Sequence, residues 1–147
     1  MLRELGAVLR GLFSASGHPP DFAAGQIWRY TTRPGEERSR LYIVKVDAWP
    51  NGERIFHVYA DKLSITHPML AGGVQTVLPH APVSTETLRL SVTRLQGIAP
   101  CPPDISEGYA DWRTQYEAGS AGVFSISVAD IVTLIEKAVC KLGESHS

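Results

Sequence analysis

The sequence is poor in cysteine, in long apolar runs and in any surplus of charge. Cys101 and Cys140 stand far apart and match no metal-ligand spacing. They read as ordinary thiols of a reducing compartment, and no disulfide framework is expected. Nowhere do about 18 apolar residues run together, which excludes a membrane-spanning helix. Lys and Arg number 14 against 15 Asp and Glu, a formal net charge of -1, so no global field draws the chain toward nucleic acid or anionic lipid. The histidines, at 18, 57, 67, 80 and 146, form no His-x-x-x-His pair. Nucleophile elbow, dinucleotide fingerprint and Walker loop are all missing. Gly72-Gly73 is followed by neither Lys-Ser/Thr nor a helix start, so it reads as a turn. These gaps lead us to expect no cofactor and no metal.

What is present is an ordinary globular composition of 147 residues, 44% hydrophobic and 20% charged. A chain of that length forms one self-sufficient domain, here taken as 1–147, burying roughly 68–70% of its unfolded surface. Its organising stretch runs from Gly25 to Asp61. Three runs rich in β-branched and aromatic residues are separated there by Pro34-Gly35 and Pro50-Asn51-Gly52, the pattern of an antiparallel meander. Strict alternation sets Trp28 and Tyr30 against Ile27 and Arg29 in the first strand. It sets Leu41, Ile43 and Lys45 against Tyr42, Val44 and Val46 in the second, and Ile55, His57 and Tyr59 against Phe56, Val58 and Ala60 in the third.

Helical spacing appears on either side. Leu2, Leu5, Leu9, Leu12 and Phe13 predict an amphipathic helix over 2–13, followed by a linker over 14–24 that contains Pro19-Pro20. Arg3, Glu4 and Arg10 interrupt that apolar run, which does not suit a secretory signal, and a cytoplasmic location is expected. A short strand is expected over 74–78. Ser84 caps a predicted helix over 84–95, with Leu88, Val92 and Leu95 on one face. The Pro-rich connector 98–104 carries Cys101 without the cationic neighbours that would activate it. Tyr109, Trp112 and Tyr116 form an aromatic seam on a helix over 105–117. Val123 to Ile126 can return as an edge strand, and Ser127 opens a last helix over 127–142. The expected fold is α+β: an antiparallel sheet of about five strands, with an N-terminal helix and three helices in the C-terminal half.

One stretch has chemical character. Trp28, Arg29, Tyr30, Arg33, Arg38 and Arg40 interleave aromatics with guanidinium groups, the composition favoured where a partner is anchored. Glu36 and Glu37 offset part of that charge, and a solvated hairpin tip with internal ion pairs is the bland reading of the same residues. With no catalytic constellation evident, the leading expectation is a non-catalytic protein-binding domain, a bacterial immunity or antitoxin-like inhibitor. A nucleic-acid-binding or processing protein using the same hairpin is the alternative. A small hydrolase-type enzyme is a third, in which His57 works with Asp47 or Asp61.

The opening Gly25-Gln26-Ile27-Trp28, the charged hairpin loop and the apolar second strand together resemble the first hairpin of SH3-like small barrels, including the PemK-like endoribonuclease toxins. Those toxins carry Arg-Pro before the second strand, where this chain has Arg40-Leu41. The resemblance implies a small, curved β-sheet.

Overall fold

The computed structural model describes residues 21–145. The helix expected over 2–13 and most of the linker expected over 14–24 lie outside them. The meander forms as its alternation dictates: β1 (Gln26–Tyr30), β2 (Leu41–Ala48) and β3 (Arg54–Ala60). A small separate hairpin follows, β4 (Ile65–Thr66) and β5 (Val74–Gln75), then β6 (Leu78–Val83), α1 (Thr85–Ser91), β7 (Val92–Ile98), α2 (Ser106–Glu117) and α3 (Val128–Ser145). The fold is α+β, built on a five-stranded antiparallel sheet in the order β6-β3-β2-β1-β7.

The helix expected over 84–95 is half helix and half strand. Leu88, Val92 and Leu95 satisfy helical spacing, but β1 presents a free row of backbone groups on the side away from β2, and residues 92–98 pair with it. α1 stops at Ser91, whose hydroxyl donates to the Thr87 carbonyl and accepts from the Val128 amide, tying the end of α1 to the start of α3. Ser84 does cap α1, accepting from the Thr87 amide. The edge strand expected at 123–126 reduces to a parallel bridge between Phe124 and Val83.

The α1 connection also sets the shape of the sheet. β6 and β7 occupy opposite edges, yet only Ser84 and the residues of α1 join them. A helix that short spans about 10 Å, whereas the edges of a flat five-stranded sheet stand about 19 Å apart. The sheet therefore curls toward α1, and its inner face closes on a core of Trp28, Tyr30, Leu41, Ile43, Phe56 and Val58 against Leu88 of α1 and Val128, Ile131 and Val132 of α3. Leu41, Phe56 and Val58 are fully buried, each contributing about 1.5–3 kcal/mol. α2 covers the part of the opposite face around His57 and His80, burying Trp112 against both rings.

Candidate functional site

Two clusters carry the polar chemistry: one beneath α2, the other around the hairpin between β1 and β2.

The first depends on a single extra residue. Ile43 pairs with Val58, but Lys45 pairs with His57, so Val44 is a bulge between them. Strict alternation would place Lys45 and Asp47 on the inner face with Leu41 and Ile43. The bulge reverses the second half of β2: Val46 turns inward opposite Phe56, while Lys45 and Asp47 join His57 on the outer face. This corrects the facing expected for Lys45.

On that face His57 is fully buried and spends both ring nitrogens. Nε2 lies 3.0 Å from Asp47 Oδ2, and Nδ1 lies 2.9 Å from Nε2 of His80 on β6. Tyr109 donates its hydroxyl to Asp47, at 3.2 and 3.0 Å, and accepts from Arg113 Nη1 at 2.9 Å. A carboxylate can only accept, which fixes the hydrogen on Nε2 of His57. In the neutral ring Nδ1 is then a lone pair, and His80 must donate to it from Nε2. The edges of Tyr109 and Trp112 close over the ring, with centroids 4.7 and 4.8 Å from that of His57. Lys45 lies over the outer side of Tyr109, 5.1 Å from its centroid.

Burial pushes the His57 pKa below its ordinary value, against the pull of the Asp47 carboxylate, and Lys45 and Arg113 add to the depression. His80 is pushed down to about 4, by burial first and then by its histidine neighbour. Both rings are therefore neutral at pH 7. α2 approaches this closely because residue 108 is glycine: a Cβ there would sit 2.9 Å from the His80 Cβ. The aromatic seam continues outward, Trp112 stacking on Tyr116 and Tyr116 on Trp49, whose Nε1 is buried with no partner among the described residues. Of the two aspartates considered for His57, Asp47 meets it, while Asp61 accepts from the Arg40 side chain at 2.8 Å.

In the second cluster most of the predicted hairpin residues are committed inside the protein. Trp28 and Tyr30 belong to the core; the Trp28 indole donates to Gln26, and the Tyr30 hydroxyl pairs with Ser39 at 2.7 Å. Arg29 donates to the carbonyls of Arg38 and Ser39. Arg33 forms a two-pronged bond with the buried Glu36, at 2.9 and 2.8 Å, and a further pair with Glu136 of α3 at 3.0 Å. The second oxygen of Glu36 also accepts from the Ser64 amide, so this pair stitches the hairpin to the chain after β3. Arg38 differs. It is exposed, and its side chain makes no hydrogen bond or ion pair with the described residues. With Gly35, Lys62, Leu63 and Ser64 it lines an open cleft of about 350 Å³. Lys62 is held at φ 52°, the left-handed region, and is the one non-glycine residue there among those described. Nothing in the sequence around Lys62 signals this, because its side of the cleft comes from a separate loop.

No group of three or more His, Cys, Asp or Glu side chains among the described residues is arranged to hold a metal ion. No described helix is long and apolar enough to cross a membrane. No protein-family model, curated protein or solved structure matches the chain.

Proposed function

We propose that this protein acts by binding an acidic partner protein at the Arg38–Lys62 cleft, as a non-catalytic inhibitor of the immunity or antitoxin type. One observation carries the reading: Arg29, Arg33 and Arg40 are used within the fold, while Arg38 and Lys62 line an open cleft and form no ion pair among the described residues, the nearby Glu37 carboxylate accepting instead from the Gly35 amide. Two unpaired cations beside a concave surface attract carboxylates and speed encounter with an acidic surface. His57 offers less to a substrate, since its ring has no exposed surface and both its nitrogens are engaged. That cluster reads as the latch holding α2 to the sheet. Two free thiols, one of them exposed Cys101, suit a reducing, cytoplasmic setting.

The test is affinity capture from native lysate with nuclease present, comparing wild type with an Arg38→Glu/Lys62→Glu double variant. A stoichiometric protein retained by wild type and lost by the variant is the expected result. Equal retention by both would remove the cleft from the interface. Nucleic acid captured without nuclease, and released by moderate salt, would favour the nucleic-acid alternative, because counterion release makes such binding steeply salt-dependent.

A further inference from the structure

The β4–β5 hairpin carries large apolar side chains that stand exposed among the described residues. Met69, Leu70 and Val74 are 50%, 42% and 47% exposed, two large side chains in the turn and a third on the first residue of β5. Scattered exposed apolar residues need no explanation, but a cluster on one tip marks a contact site. The tip is also held firmly. The amides of His67, Leu70 and Gly73 donate to the carbonyls of Gly73, His67 and Leu70 respectively, and Gly72 and Gly73 supply the left-handed backbone of the turn. Its base is fixed to α3: the Thr66 amide donates to Glu136 at 2.7 Å, and Pro68 packs so closely on Gly143 that a Cβ there would lie 2.7 Å from the proline Cβ. An apolar knob ordered in advance loses little side-chain and backbone freedom when it binds.

The tip adjoins the cationic cleft. Lys62, Leu63 and Ser64 lead directly into β4, and the Leu63 amide donates to the Thr76 carbonyl just after β5, so the base of the hairpin is one wall of the cleft. Ser64 and Met69 are separated by the strand and turn alone, at most about 17 Å at strand rise. An interface with an apolar centre and a charged rim has this composition and scale.

We propose that the β4–β5 tip and the Arg38–Lys62 cleft form one docking surface for an acidic protein segment whose apolar side chains cover Met69, Leu70 and Val74. The charge of the cleft selects the sign of the partner, and the tip supplies the desolvated contact that slows its release. This rests on the functional reading above and adds to it the apolar half of the recognition element.

The experiment is a selection of peptides from a random twelve-residue phage-display library on the full-length protein. Enriched peptides are synthesised and their rates measured on wild type, Met69→Ser/Leu70→Ser and Arg38→Glu/Lys62→Glu. These residues are exposed, and unchanged thermal midpoints confirm that each variant folds. We expect peptides that join two or more acidic residues to an apolar one. The serine variant should release them at least tenfold faster with the same salt dependence, and the glutamate variant should slow association and flatten that dependence. Peptides that bind the serine variant as tightly as wild type would overturn the role of the tip while leaving the cleft reading intact. Peptides indifferent to the glutamate variant would overturn both. Failure to enrich any acidic, apolar sequence counts against the joint surface.

Discussion

Nδ1 of His57 and Nε2 of His80 stand 2.9 Å apart, and a single hydrogen lies between them. Because Asp47 fixes the hydrogen on the other side of His57, that shared hydrogen belongs to His80 in the neutral pair. Adding a proton forces a charge onto rings that burial holds neutral.

Stability should therefore fall with acid. A histidine whose folded pKa lies below its unfolded value contributes fully above the unfolded pKa and loses that contribution as pH falls toward the folded one. For His80 the window runs from 6.5 down to about 4. The loss should be about 1–2 kcal/mol for this half-buried ring after solvent screening. Urea midpoints measured across that range test it, and a His80→Gln variant should flatten the profile. A wild-type profile without slope would remove the histidine pair as its source.

Asp47→Ala takes the acceptor from both the His57 ring and the Tyr109 hydroxyl. The orphaned donor of the buried His57 ring costs about 1–3 kcal/mol and that of the partly exposed Tyr109 less, while Asp47→Asn keeps an acceptor oxygen and should cost less than Asp47→Ala. Equilibrium unfolding of the two variants ranks them, and equal losses would show that the carboxyl position is not accepting these bonds.

Gly108→Ala gives a test of sign. Helix propensity alone favours alanine by about 1 kcal/mol. The new methyl would press on His80, so we expect a net loss of about 1–3 kcal/mol. A stabilised variant would mean that α2 can lift from the sheet at little cost.

The hairpin arginines should separate by role. Arg33→Ala leaves Glu36, whose side chain is 2% exposed, without its cation, and should cost about 3–5 kcal/mol. Arg38→Ala should leave stability within about 0.5 kcal/mol and affect only binding. Parallel thermal melts decide this, and similar losses for the two would contradict the geometry.

Lys62→Gly relieves a left-handed backbone held by a residue with a Cβ. It should raise stability by up to about 1 kcal/mol while weakening capture of the partner. Loss of both would indicate that the lysine side chain supports the loop.

The meander was legible because β-branched and aromatic runs with turn punctuation leave few alternatives, and the aromatic seam of α2 and the apolar face of α3 were legible from their period. The segment after Leu88 was not. Val92 and Leu95 fit a helix locally, and only the unpaired edge of β1, distant in sequence, selects the strand. The hairpin was visible as chemistry, but which of its arginines are free was hidden. Glu136 lies 103 residues from Arg33, and Lys62 reaches the cleft from the other side of the meander. His57 was visible with two possible aspartates, and the choice between them turned on a bulge that leaves no mark in composition.

That bulge at Val44 gives β2 two halves of opposite phase. Val44 is half-buried and is the residue the ladder leaves unpaired. Its deletion would leave a regular ladder in which Lys45 and Asp47 still share the outer face with His57 and Val46 still meets Phe56, whereas a strand that kept Val44 in the ladder would exchange inside for outside. For this chain the surplus residue is therefore one that a lineage could lose without turning either face of the sheet, while the ladder could absorb it only by turning both.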